Sequence, residues 1–274
     1  MSIANYTEHR AAFSALLKED CDKPILLFKG ESSMGKSTLI RHCRTQIDNN
    51  IIHVLVDLRS TTNVLQIFYK LTECLPAEQL DNFKRQVDDL NRRFNININI
   101  NGNTLKGDNN TLNVELNALF ENTTLEQRAD RYTALTKAWT KEINNLNSLC
   151  ILLIDVYEKA SSEIKLWIDG DLLNCAAKSG QLRVMIAGQN VPESLEWEHC
   201  CDFKELIGVH DAAEWIPVVG AMGRKAPEEP LLTYLAAGCS IFKGNPDKIV
   251  QWIKANFPVS TQLEAIHVEQ KNER

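Results

Sequence analysis

Residues 24–37 read PILLFKGESSMGKS. Gly30, Gly35, Lys36 and Ser37 satisfy G-x-x-x-x-G-K-S, the phosphate-binding loop. Glycines at 30 and 35 allow a tight turn and a close backbone approach to phosphate. The N–H groups of Gly30, Glu31, Ser32, Ser33, Met34, Gly35, Lys36, Ser37 and Thr38 are then expected to cradle phosphate oxygens, helped by the positive end of the next helix. Lys36 is expected to reach the β- and γ-phosphates, and Ser37 to put its hydroxyl on Mg²⁺. The Glu31 side chain, an anion beside an anion site, is expected to face solvent. Four fixed positions match by chance in roughly 1 of 100 chains of this length. The context adds weight. PILLF reads as a strand and KSTLIRHCRTQI as an amphipathic helix, which is the strand–loop–helix order the motif requires.

Working outward, the chain has 274 residues, 44% hydrophobic and 24% charged. That is globular composition, long enough for one large domain or one with a small appendage. A net charge of −6 argues against nucleic acid, whose binders carry a basic domain. Lys84, Arg85, Arg92 and Arg93 are interleaved with acids and read as a solvated helix face. The start, MSIANYTEHR, is polar and carries no signal pattern. No apolar run approaches the roughly 18 residues that span a bilayer. The eight cysteines are scattered without C-x-x-C and read as reduced thiols of a cytoplasmic protein. His199, Cys200 and Cys201 are adjacent, whereas zinc ligands pair at spacings of about two to four residues with a second pair elsewhere, so a metal is not expected there.

Along the chain, residues 6–20 suggest a helix. Strands are expected at PILLFKG, at IIHVLVDLRS (51–60) ending on Asp57, at LCILLIDVYEK (149–159), at LRVMIAGQ (182–189) and at DFKELIG. Helices are expected between them, one opening at Pro76 in PAEQLDNFKRQVDDLNRR and a long one over LEQRADRYTALTKAWTKEINNL. Residues 94–117 alternate isoleucine with asparagine and contain Asn-Gly. They read as a polar insert or a small hairpin, and not as catalytic. Alternating strands and helices predict an α/β fold with a parallel sheet covered on both faces. The C-terminal segments DAAEWIPVVGAM, PLLTYLAAGC and PDKIVQWIKANF carry no strand and read as a small helical subdomain. The expected organisation is a core over 1–208, a helical subdomain over 209–258 and a tail over 259–274.

A phosphate loop needs an acid. CILLID ends an apolar strand on Asp155, the Walker B arrangement that holds an acid beside Mg²⁺. Glu158 lies three residues on. A helical turn there would put both acids on one face, which makes Glu158 the candidate general base. Guanine-reading relatives carry N-K-x-D, which the chain lacks, so ATP is the expected nucleotide.

GESSMGKSTLI, LLIDVYEKAS, VMIAGQNVP and FKGNPDKIV occur in the order seen in the STAND class of signalling ATPases, and the chain resembles that class from about residue 8 to about 257. The class includes the NACHT and NB-ARC modules and stands close to AAA-type ATPases. The resemblance implies a three-layer, ASCE-type P-loop NTPase sandwich with a helical domain behind it. It implies a nucleotide-controlled switch that oligomerises on a signal and activates an effector, often in bacterial defence. The family's G-x-P motif matches Gly244-Asn245-Pro246, which puts Pro246 at the nucleotide. The family's arginine after I-A-G is Gln189 here. The AAA-type glutamate directly after Asp155 is Val156. Both departures point to slow turnover. The sensor repeats and fused effector of long STAND chains are expected either on separately encoded partners or not at all, the chain then being a stripped core.

Four readings compete. One is an ATPase switch using Lys36, Ser37, Asp155 and Glu158. The second is a non-hydrolysing ATP-bound scaffold, favoured by Gln189. The third is a kinase, which would want an arginine-rich lid, yet 94–117 holds only Lys106 as a cation. The last is an AAA-type loader on nucleic acid, which the acidic charge disfavours. Arg131, Arg183 and Arg224 are candidates for an arginine reaching a neighbouring subunit.

Overall fold

The computed structural model describes residues 6–76, 79–94, 96, 108–146, 148–226 and 230–260. In chain order the elements are α1 (Thr7–Leu16), β1 (Ile25–Gly30), α2 (Lys36–Arg44), β2 (Ile52–Asp57), α3 (Val64–Glu73), α4 (Asp81–Arg93), α5 (Asp108–Phe120) and α6 (Leu125–Asn144). Then follow β3 (Cys150–Asp155), α7 (Ser162–Trp167), α8 (Leu173–Lys178), β4 (Leu182–Gly188), β5 (Cys201–Leu206), α9 (Ile216–Ala221), α10 (Leu231–Ile241) and α11 (Pro246–Asn256). Among the described residues no helix is long and apolar enough to cross a membrane.

The fold is α/β. Five strands form one sheet in the order β2-β3-β4-β1-β5. β2 with β3, β3 with β4 and β1 with β4 pair in parallel. Every residue of β3 and β4 is buried, which is why both read as mainly apolar runs rather than alternating ones, with Asp155 and Arg183 as the charged exceptions. The register sets Asp57 beside Asp155, Asp155 beside Ala187, and Lys29 beside Gly188. The carboxyl ends of four strands therefore meet at one edge, where ligands bind in such sheets.

Two compact units are present. The first comprises the described residues of Met1–Arg10, Gly30–Thr45 and Glu205–Arg274, and the second those of Ala11–Lys29 and Gln46–Lys204. The second holds the main apolar core. There Phe68 packs against Phe83 and Trp167, each with ring centroids 5.8 Å apart, and Phe120 stacks on Tyr132 at 4.6 Å. In the first unit α10 and α11 bury Leu235, Cys239, Ile249, Ile253 and Phe257.

Two segments differ from the sequence expectation. Of the polar stretch 94–117, residues 95 and 97–107 lie outside the described residues, but 108–117 open α5. Leu112, Leu116, Leu119 and Phe120 recur at helical spacing and are all buried in the core, so the apolar stripe outweighs the asparagine-rich composition. Helix α4 starts at Asp81 rather than Pro76. Its first turn is capped from a distance. The buried Glu142 carboxylate on α6 accepts from the Asn82 N–H, from the Phe83 N–H at 2.9 Å and from Asn82 Nδ2 at 2.8 Å. An anion at the positive end of a helix stabilises that start.

Candidate functional site

The phosphate loop lies in the first unit. Gly35 adopts φ 79°, a left-handed conformation that only glycine reaches without strain, and it precedes α2. The N-cap residue Gly35 makes no side-chain cap hydrogen bond, and the start of α2 carries the positive end of its backbone dipole, the kind of place that suits an anion. Ser33 is also left-handed, at φ 66°. The loop winds around the Lys36 ammonium, which donates to the Gly30 and Glu31 carbonyl oxygens at 2.6 Å each. Leu39, Ile40 and Cys43 anchor the buried face of α2, while Glu31, Ser32 and Ser33 face solvent. Ser37 and Thr38 are half-buried in the first turn of α2.

Two further groups of the same unit close on this loop. The Tyr6 hydroxyl donates to the Met34 carbonyl oxygen, and burial pushes its pKa up to about 12. Pro246 lies at ordinary contact distance from where a Gly35 Cβ would stand, 4.0 Å away, with the Tyr6 hydroxyl at 3.5 Å. The Gly244-Asn245-Pro246 motif is the turn between two helices. Gly244 donates its N–H to the Cys239 carbonyl at 2.9 Å and so closes α10. Asn245 caps α11 by accepting from the Lys248 N–H, and Pro246 takes the first helical position, where no donor is needed. Tyr6 was not legible as a site residue, because a lone tyrosine 24 residues before the loop carries no motif.

The acids lie in the second unit. Asp155 closes β3, buried to 4% exposure, with Asp57 in register beside it. Val156 then takes φ 61° and a 3₁₀ turn covers Tyr157–Lys159, so the chain passes from Asp155 to Glu158 through a left-handed residue rather than through one continuous helical turn. Glu158 is engaged at both oxygens. Oε2 accepts from the Gln189 backbone N–H at 2.9 Å and Oε1 from Gln189 Nε2 at 3.2 Å. Gly188 makes room for this. A Cβ there would stand 3.0 Å from Glu158 Oε2 and 2.3 Å from the Asn190 carbonyl oxygen.

Arg59, unmarked by any motif, brings a cation to this edge. It forms a two-point pair with Asp57, Nε to Oδ1 at 2.9 Å and Nη2 to Oδ2 at 2.5 Å. The hydrogen bond to Asp57 raises its pKa first, the Asp57 charge second, and the charges of Asp155 and Glu158 add to this. The pair is solvent-exposed and screened, so its weight is in placement rather than stability.

The three arginines considered for a neighbouring subunit are engaged inside the fold. Arg183 is 2% exposed, donates to the carbonyls of Gly180 and Glu19 at 3.1 and 3.3 Å, and has its pKa lowered by burial. Arg131 is buried, donates to the Leu119 carbonyl and lies 4.0 Å from the centre of the Phe94 ring. Arg224 closes the end of α11 through the Lys254 and Phe257 carbonyls at 3.1 and 2.6 Å.

A phosphate loop directly after β1, and an acid at the end of a strand separated from β1 by one intervening strand, give the ASCE-type P-loop NTPase fold. No family profile matches the chain, and no curated protein does. Among solved structures, the chain is similar to the Walker-type ATPase PABY2304 of Pyrococcus abyssi at 13% identity, over 90% of this chain and 66% of that one, with a TM-score of 0.49. It is similar to Cdc6p from Pyrobaculum aerophilum at 11% identity, over 100% of this chain and 64% of that one, also at 0.49. For PCH-2 of C. elegans the identity is 12%, the coverage 81% and 48%, and the TM-score 0.34. The chain thus spans less than two thirds of the length of these solved proteins, from 66% down to 48%.

Proposed function

We propose that this chain binds ATP with Mg²⁺ and works as a STAND-like, nucleotide-dependent switch with slow hydrolysis. The observation that carries it is the loop: a left-handed Gly35 at an uncapped helix start, a lysine ammonium ringed by loop carbonyls, and Pro246 of the helical segment against the same glycine. These residues suit a phosphate chain. The donors are backbone N–H groups and an ammonium, and the acceptors needed for a divalent cation are the Ser37 hydroxyl and the Asp155 carboxylate. Mg²⁺, when bound, neutralises charge on the β- and γ-oxygens.

The chain's own residues have separate jobs in this reading. Lys36 and the loop N–H groups bind and orient the phosphates, which is most of what phosphoryl transfer requires. Ser37 and Asp155 would each serve as a metal ligand, the role that the two Walker motifs give them. Glu158 accepts a proton from water as the water oxygen bonds the γ-phosphorus, while the bond from that phosphorus to the β–γ bridging oxygen breaks and ADP leaves. Pro246, meeting the loop from the turn between α10 and α11, relates the nucleotide state to the helical segment. Signalling or defence, a separate effector or sensor protein, and a nucleotide-dependent homo-oligomer extend the family resemblance. A second reading, a scaffold that holds ATP and does not hydrolyse it, is favoured by Gln189. It brings no positive charge, and its amide is already committed to Glu158.

The test is ATP hydrolysis over a wide range of protein concentration, beside Lys36→Ala and Glu158→Gln, with the oligomeric state measured in ADP and in ATP. Turnover that rises with concentration and is absent from both variants supports the switch. Tight ATP binding lost in Lys36→Ala, with no turnover at any concentration, supports the scaffold. No ATP binding at all ends both.

A further inference from the structure

The Asp155–Lys159 turn has a feature that the nucleotide motifs do not explain. Val156 is β-branched and sits at φ 61°. That conformation is strained for a β-branched residue and persists only where the surroundings over-determine it. The next residue supplies the restraint. Tyr157 is 4% exposed, and its hydroxyl donates to Asp169 Oδ1 at 2.5 Å. Asp169 belongs to a π-helical turn, Ile168–Leu172, inserted between α7 and α8. Wide turns of this kind redirect backbone groups and are frequent at functional sites. Here the Asp169 carbonyl oxygen accepts from Trp197 Nε1 at 2.9 Å. In the same turn Asp171 accepts from the Thr133 hydroxyl on α6 at 2.8 Å. Asp169 is thus held by its backbone and holds Tyr157 by its carboxylate. One residue beyond Tyr157, Glu158 reaches the two Gln189 donors.

We propose that Asp169, acting through Tyr157, is the positioning residue for Glu158: the π turn exists to fix the Asp155–Glu158 turn and so to aim the carboxylate that Gln189 holds. A general base needs a third group to orient it. In this chain Gln189 touches the base directly and the Asp169–Tyr157 bond sets the backbone that carries it. The inference rests on the reading of Glu158 as the base of a hydrolytic site, but its first readout does not depend on turnover.

The experiment uses the full chain, ¹⁵N-labelled, as wild type, Tyr157→Phe, Asp169→Ala and Asp169→Asn. Hydrogen exchange of the Gln189 backbone amide reports the bond to Glu158, and the Trp197 indole N–H reports the integrity of the π turn. Tyr157→Phe is expected to leave the Trp197 resonance in place and to speed Gln189 exchange about tenfold, the worth of one charge-assisted hydrogen bond. Asp169→Ala should do the same. Asp169→Asn keeps an acceptor for the tyrosine and should retain most of the protection. If wild type hydrolyses ATP, kcat should fall about tenfold in Tyr157→Phe, with KM within about twofold of wild type. Gln189 exchange that is unchanged in Tyr157→Phe overturns the proposal, and so does a change in KM alone. Wild-type turnover no higher than that of Lys36→Ala removes the catalytic reading of Glu158, while Gln189 exchange still decides the positioning. Should Asp169→Ala fail to fold, Tyr157→Phe decides, because it removes a single hydroxyl.

Discussion

Replacing Gly188 with alanine adds one methyl group where the second unit has no space for it. The new Cβ would stand 2.3 Å from the Asn190 carbonyl oxygen and 3.0 Å from both Glu158 Oε2 and Tyr157 Cβ. The first clash is with backbone, so no side-chain rotation relieves it. Overpacking of this kind costs about 1–3 kcal/mol. Relief at Glu158 swings the carboxylate away from the Gln189 N–H, now 2.9 Å away, at about 1 kcal/mol for a partly exposed hydrogen bond. Alanine returns about 0.5–1 kcal/mol through the lower entropy of its unfolded chain. The net is a loss of about 1–3.5 kcal/mol. In a chain of this size that lowers the melting temperature by about 2–14 °C. Gly170→Ala is the control. It lies in the π turn, nothing stands within 4 Å of its Cβ, and it should be neutral or stabilised by up to about 1 kcal/mol. Urea unfolding of both variants beside wild type reads the difference as a shift in midpoint at constant slope. A Gly188→Ala protein as stable as wild type would mean that Gly188 does not pack against Glu158 and Tyr157 in solution.

Other outcomes follow from the proposed chemistry. Lys36→Ala should weaken ATP binding by about 100-fold or more, read by titration calorimetry, since the ammonium is the loop's charged group on the phosphates. Glu158→Gln should keep ATP affinity within about threefold and lower any turnover by about 10²–10³, the usual worth of a general base; equal loss of binding would show a structural role instead. Tyr6→Phe removes the hydroxyl that holds the Met34 carbonyl and should cost about 1 kcal/mol of stability. Its pH dependence has a definite sign. The folded Tyr6 hydroxyl titrates at about 12 against an ordinary value of 10, so the unfolded chain loses its proton first. Stability present below pH 10 is therefore lost between pH 10 and 12. Urea midpoints across that interval should fall less steeply in Tyr6→Phe, by about 2 kcal/mol at most over the interval.

The phosphate loop could be read without coordinates because its chemistry is consecutive. Gly30 to Ser37 form one local turn, and the spacing of glycine, lysine and serine is itself the geometry. The same holds for the strand ending on Asp155, whereas the path to Glu158 runs through a left-handed Val156 that no local rule announces. Buried strands showed as apolar runs because β3 and β4 are covered on both faces. Gly244-Asn245-Pro246 came only with the family resemblance; in the fold each of the three suits one backbone position of the turn between α10 and α11.

What the chain order did not reveal depends on residues far apart in sequence. The start of α4 is decided by Glu142, a carboxylate on another helix that caps it, so no rule about Pro76 could locate it. Helix α5 forms because Leu112, Leu116, Leu119 and Phe120 find a core to fill, and an apolar stripe stabilises a helix only against a partner surface. Arg131 and Arg183 look like free cations in the sequence and are interior side chains in the fold. The grip of Asp169 on Tyr157 joins segments separated by α7, and that of Gln189 on Glu158 joins segments separated by the whole of α7 and α8. Local motifs specify the conformation of the loop from Gly30 to Ser37, because covalent spacing alone sets those positions. Orientation of the acid is a property of packing, since the groups that hold it are neighbours only after the sheet has formed.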